Sequence, residues 1–165
     1  MHSKTIVETV MHPLHQYSAV GEDERVDRAL ELLSTAVLTG KMPHLMVIGK
    51  DRHANETIRG FVSPCDIVFG VAGHVLRGSE RVGPIFWEGL LENEAPEAFS
   101  KRVSEIMAPV SVCAGSSQNI LEAIFLLNKH RASFMPVVRR TEVVGVIHLD
   151  DILKVLVGMA SRKKP

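Results

Sequence analysis

Gly60-Phe61-Val62-Ser63-Pro64-Cys65-Asp66-Ile67 and Gly145-Val146-Ile147-His148-Leu149-Asp150-Asp151-Ile152 follow one pattern: a glycine, two apolar residues, a polar residue, then an aspartate followed by isoleucine. Each reads as a strand end turning into a helix. Two further blocks recur in the same order. Val7-Glu8-Thr9-Val10-Met11-His12-Pro13 matches Val103-Ser104-Glu105-Ile106-Met107-Ala108-Pro109. Val26-Asp27-Arg28-Ala29-Leu30-Glu31-Leu32-Leu33 matches Ile120-Leu121-Glu122-Ala123-Ile124-Phe125-Leu126-Leu127. Blocks that recur twice in one order identify an internal repeat. The first copy is longer, and its polar run Asp51-Arg52-His53-Ala54-Asn55-Glu56 reads as a lengthened hairpin loop.

Both copies share a rhythm. Val26, Ala29, Leu30, Leu33 and Val37 fall at helical spacing, as do Ile120, Ala123, Ile124 and Leu127. Ser116 or Ser117 is the expected N-cap of the second of these helices. Short runs rich in Val and Ile follow: Leu45 to Ile48 and Ile58 to Val62, then Met135 to Val138 and Val143 to Ile147. Arg139-Arg140-Thr141-Glu142 is the tight turn of the second pair. A last helix begins near Asp66 and Asp151; in the second copy Ile152, Val155, Leu156 and Met159 form its apolar face. The repeating unit is strand, helix, strand, strand, helix, an α/β (α+β) arrangement. The expected bounds are 1–75 and 101–165 for the repeats and 76–100 for an ordered connector. A short helix is expected from Pro84 to Glu94, with Ile85, Phe86, Leu90 and Leu91 on its apolar side. Trp87 is expected to be covered there or by a partner.

Composition narrows the function. Nineteen basic residues balance nineteen acidic ones, so the basic surplus of a nucleic-acid binder is missing. No run of about 18 apolar residues suggests a membrane span, and no apolar signal core follows Met1-His2-Ser3-Lys4. Two distant cysteines, Cys65 and Cys113, suit reduced thiols, so a cytoplasmic protein is expected. There is no P-loop, nucleophile elbow or pair of catalytic acids, so no enzyme is expected. His12 and His15 stand close together, but no cysteine or carboxylate cluster completes a metal site, and none is expected.

The Met-x-Pro start and the Gly-to-Asp block of both copies, with the Pro136-Val137-Val138 strand of the second, resemble the CBS (cystathionine β-synthase) domain; the first copy has Leu45-Met46-Val47 without the aligned proline, though Pro43 is nearby. The resemblance implies two CBS-type β-α-β-β-α repeats packed sheet to sheet about a pseudo-twofold axis. A unit of about 60 residues buries little surface alone, which favours pairing. It also implies a homodimer, and an adenosyl ligand (AMP, ADP, ATP or S-adenosylmethionine) held between the repeats as a regulatory ligand, with no cofactor required.

The residues admit that chemistry. A helix N-terminus presents free N–H groups and partial positive charge to a phosphate. Ser63 and Pro64 precede Asp66, whose carboxylate can accept both ribose hydroxyls; the resemblance makes Asp66 and Asp151 the sugar anchors. Serine and aspartate at a helix start are equally ordinary caps. His148 stands where the family has Thr or Ser; imidazole can donate to a phosphate but is bulkier. By position, Ser133, Phe134, Met135 and Pro136 are the expected adenine slot of the second copy, and Tyr17 and Val20 line a pocket in the first. Core packing is the alternative role of each apolar residue. His12, His44, His53, Lys129, His130, Arg52 and Arg131 are candidate phosphate contacts. The expected function is a ligand-sensing regulatory module acting on a separate target protein. The alternative is a dimerisation module with degenerate pockets.

Overall fold

The computed structural model describes residues 5–79 and 87–162. In chain order its elements are β1 (His12–Pro13), β2 (Ser18–Gly21), α1 (Val26–Leu38), β3 (Leu45–Lys50), β4 (Glu56–Val62), α2 (Pro64–Ser79), α3 (Leu90–Phe99), β5 (Ala108–Pro109), β6 (Ala114–Gly115), α4 (Ile120–His130), β7 (Phe134–Arg139), β8 (Glu142–His148) and α5 (Leu149–Ser161). Short 3₁₀ turns at Val7–Thr9, Leu14–Gln16 and Val103–Glu105 flank the Met-x-Pro blocks. The fold is mixed α/β with two four-stranded sheets and five α-helices among the described residues. Strand, helix, strand, strand, helix occurs twice, as β2-α1-β3-β4-α2 and β6-α4-β7-β8-α5. No helix among the described residues is long and apolar enough to cross a membrane.

The chain divides into two compact units that do not follow the linear bounds 1–75, 76–100 and 101–165. One unit spans residues 17–110, with sheet order β2-β3-β4-β5. The other combines the start of the chain, through Gln16, with everything from Ser111 on, in the order β1-β8-β7-β6. Each Met-x-Pro strand therefore pairs within the unit built on the other repeat. β1 runs antiparallel to β8, with His12 opposite Val146 and Pro13 opposite Gly145. β5 runs antiparallel to β4, with Ala108 opposite Phe61 and Pro109 opposite Gly60. The preceding residues anchor these strands. Val7 is fully buried and donates its N–H to Gln118 O at 3.0 Å. Val103 is likewise buried and donates to Glu24 O at 2.8 Å.

Local sequence explains the rest. β3 alternates buried and partly exposed residues, placing Leu45 and Val47 in the core with Val26, Ala29 and Leu33 of α1. The second core gathers Val7, Ala123, Leu127, Met135, Val137, Ile147 and Ile152. The insertion at Asp51 is a hairpin loop between β3 and β4; Asp51 accepts the backbone N–H groups of His53 and Asn55.

Several sequence expectations shift. Asn119, not a serine, caps α4; its side chain accepts from Leu121 N at 2.9 Å, because the helix starts beyond the turn holding Ser116 and Ser117. Only Ile152 of the predicted α5 face is buried, while Leu156 and Met159 are exposed. α3 starts at Leu90 and buries Ala95 and Ala98, with Leu91 exposed. Trp87 is exposed, and the expected contributions of Pro84, Ile85 and Phe86 lie outside the described residues.

The exchange depends on bare backbone. A Cβ on Gly145 would lie 2.5 Å from His12 O and 2.8 Å from Met11 Sδ; one on Gly60 would lie 2.4 Å from Ala108 O and 3.0 Å from Met107 Sδ. Real atoms do not approach a carbonyl so closely, so Gly60→Ala and Gly145→Ala must push a strand away. Each is expected to cost about 1–3 kcal/mol, the usual penalty of overpacking. The change is read as a fall in the urea midpoint; an unchanged midpoint in either variant contradicts this packing.

Candidate functional site

Both aspartates of the Gly-to-Asp blocks sit in the first turn of a helix, where its dipole favours negative charge. Their surroundings differ. In the 17–110 unit, Ser63 is buried between β4 and α2. Its backbone N–H and its hydroxyl both donate to Asp66 Oδ2 at 2.7 Å, and Asp66 N donates back to Ser63 Oγ at 3.3 Å. This is a reciprocal cap of the kind that closes helix starts. Asp66 also lines a groove of about 370 Å³ with Phe69, Lys101, Glu105 and Ile106. Pro64, the first residue of α2, is exposed. Tyr17 is buried edge-on to Phe61, with ring centres 6.2 Å apart, and Val20 belongs to the core. The structure thus brings Ser63 and Asp66 together, and it places Tyr17 and Val20 among core side chains.

The other unit replaces serine with His148, which ends β8 and makes no side-chain cap. Its buried ring lies 5.7 Å from that of Phe134 at 32°, and 5.7 Å from that of His12 at 70°. Asp151 is 6% exposed. Lys154 Nζ donates to its Oδ1 at 3.1 Å. His12 Nε2 lies 2.9 Å from Oδ2, while His12 Nδ1 is 2.7 Å from Gln16 Oε1. Among the described residues, buried Oδ2 is approached by His12 Nε2 and by no further donor. Burial raises the Asp151 pKa, but Lys154 and His12 outweigh it and hold the carboxyl below its usual range.

Four of the expected groups separate. Phe134 packs against His148, whereas Met135 is packed in the core and Pro136 is buried beside it. Ser133 instead lines a groove of about 740 Å³ with Lys129, Arg131 and Leu149. His12, Gln16 and Lys154 are the groups that sequence reasoning did not attach to Asp151. Lys154 follows Asp151 at helical i+3 spacing, a visible signal. The approach of His12 depends on β1 pairing with β8, which linear order does not announce.

A family model described as the CBS domain matches residues 103–158. No curated protein matches the sequence. Solved structures match throughout. The CBS-pair protein CBSX2 from Arabidopsis thaliana superposes with a TM-score of 0.64 at 21% identity, covering 96% of this chain and 99% of that one. CBSX2 in complex with AMP gives 0.60 at 21%, covering 94% and 98%. The CBS domain pair of protein MJ0100, in complex with 5′-methylthioadenosine and S-adenosyl-L-methionine, gives 0.61 at 18%, covering 95% and 99%. The chain is similar to these proteins in fold.

The lowered Asp151 pKa has a consequence for stability. A carboxyl whose folded pKa is depressed stabilises the fold above its unfolded value of about 3.9, and this is lost as pH falls through the folded value. Asp151→Asn is therefore expected to be less stable than wild type at pH 7, with the gap closing in strong acid. Chemical denaturation at several pH values reads this directly. A gap independent of pH contradicts the assignment.

Proposed function

We propose that this chain, which has the fold of a CBS pair and in which residues 103–158 match the CBS domain, is a regulatory module that binds an adenine nucleotide or S-adenosylmethionine and catalyses no reaction. One observation carries the proposal. Asp151 is a buried carboxylate at a helix start, held below its usual pKa range, and among the described residues only His12 approaches its Oδ2. Burying such an atom costs free energy unless a donor arrives. A ribose supplies two hydroxyls, both able to donate to one carboxylate. His148 and Phe134 stand beside it with flat faces, and the helix N-terminus suits a phosphate or carboxylate on the same ligand. Relatives of the same fold, at low identity, are known in complex with AMP and with S-adenosylmethionine.

The binding set proposed narrows to Phe134, His148 and Asp151 in one unit and to Ser63 and Asp66 in the other. Asp66 is the weaker anchor, because a ligand must compete with the Ser63 contacts to its Oδ2. We place the module in the cytoplasm and assign it a second copy of itself as partner. In support of the latter, α5 exposes Leu149, Leu153, Leu156, Val157 and Met159, and α2 exposes Val68 and Phe69. Apolar patches of that kind mark association surfaces. The same faces favour the second reading, a ligand-free dimerisation module. Ligand shifts signalling only if it binds one arrangement more tightly than another.

Thermal unfolding with AMP, ADP, ATP or S-adenosylmethionine separates the readings. At about 100 times the dissociation constant, a ligand adds about 2.7 kcal/mol. At least one of the four is expected to raise the melting temperature. Asp151→Ala is expected to abolish most of that rise, and Asp66→Ala less. No response to any of the four, with a dimer present in ultracentrifugation, supports the ligand-free module instead.

A further inference from the structure

Outside the two aspartate sites, the 17–110 unit holds a second cluster of ionisable groups. His74 on α2 faces Glu94 and Glu97 on α3, and one ligating atom from each lies within 4.8 Å of the others. We propose that these three side chains form a binding site for a divalent transition-metal cation, with Zn²⁺ as its occupant.

The distances fit. Zinc bonds imidazole nitrogen and carboxylate oxygen at about 2.0–2.2 Å, so two tetrahedral ligands stand about 3.4 Å apart. His74 Nε2 is 3.5 Å from Glu97 Oε2. The Glu94 carboxylate lies within 4.8 Å of both.

The backbone fits as well. Glu94 and Glu97 are spaced i, i+3, so a single helix presents both carboxylates on one side. His74 comes from the neighbouring helix. Drawing ligands from facing helices is how metal sites in helical proteins are assembled.

Electrostatics favours a cation. Two carboxylates converge on one imidazole, and among the described side chains neither pairs with Lys or Arg. A neutral imidazole leaves two negative charges facing each other, which a dication would cancel. Solvent access supports exchange: the His74 side chain is 16% exposed and that of Glu97 73%. One edge of the site is enclosed, and the other is open to the water that completes a three-ligand zinc site. The nitrogen ligand selects among cations, since Mg²⁺ and Ca²⁺ prefer all-oxygen sets. Once bound, the ion ties α3 to the helix that begins beside Asp66.

The sequence concealed this triad. The two acids lie far along the chain from His74, so linear spacing does not bring the three together.

The test uses the full chain stripped with a chelator and titrated with ZnCl₂ by calorimetry and thermal unfolding. One Zn²⁺ per chain and a raised melting temperature are expected, with MgCl₂ binding far more weakly. Glu94→Gln, Glu97→Gln and His74→Gln keep side-chain size, and circular dichroism checks their folding. Each is expected to lose at least about tenfold in zinc affinity. His15→Gln and His53→Gln, which remove exposed imidazoles elsewhere, are expected to bind as wild type. Failure of the wild type to bind zinc overturns the proposal. So does equal affinity for Mg²⁺, or unchanged zinc binding in the three ligand variants.

Discussion

At Gly60 and Gly145 the backbone of a neighbouring strand occupies the volume where a side chain would begin. Both contacts have the same makeup: the glycine of one repeat's Gly-to-Asp block lies under the Met-x-Pro strand of the other, with Met107 over Gly60 and Met11 over Gly145. The recurrence of Met-x-Pro and the recurrence of glycine are two sides of one packing requirement. Nearly everything else in each unit follows from it. The short strands complete each sheet as its fourth member. The buried Val7 and Val103 just upstream complete each core.

The same exchange shapes the chemistry. β1 pairs with β8 and carries His12 to Asp151. Its counterpart β5 carries Ala108, which offers Asp66 no such partner. In its place Ser63 closes on Asp66 from within its own turn. Two aspartates at equivalent positions are thus held by different means, Asp66 by a hydroxyl of its own turn and Asp151 by Lys154 one turn along α5 and by His12 on β1. A buried ion pair held by groups from separate elements is sensitive to how those elements sit. A capped turn is not. The two aspartate turns are therefore unequal despite their common plan.

The periodic part of the fold was legible in the sequence. Val26, Ala29 and Leu33 at helical spacing are buried, and the apolar run Leu45 to Ile48 forms part of β3. The repeat blocks gave the element order correctly. What the sequence concealed was pairing across long separations. Nothing in linear order says that His12 belongs beside Val146, so the bounds drawn along the chain cut through both units. Helix faces were legible only as amphipathic. Ile152 turns inward while Leu156 and Met159 stay in solvent, because an apolar stripe does not declare which part of it the same chain will cover. That Asp66 and Asp151 open equivalent helices could be read from their block. Their partners, apart from Ser63 and Lys154, required coordinates.

The unit that mixes both ends of the chain carries a consequence for biosynthesis. Residues 17–110 hold all four strands of their sheet and can settle as soon as β5 has left the ribosome. Residues 5–16 emerge first, yet their sheet is missing its centre until β7 and β8 have been made. The segment that holds buried Val7 therefore finds its place only after β7 and β8 have been made. A nascent chain stalled just beyond β5 would carry one complete four-stranded sheet and one orphaned segment whose sheet is still unmade.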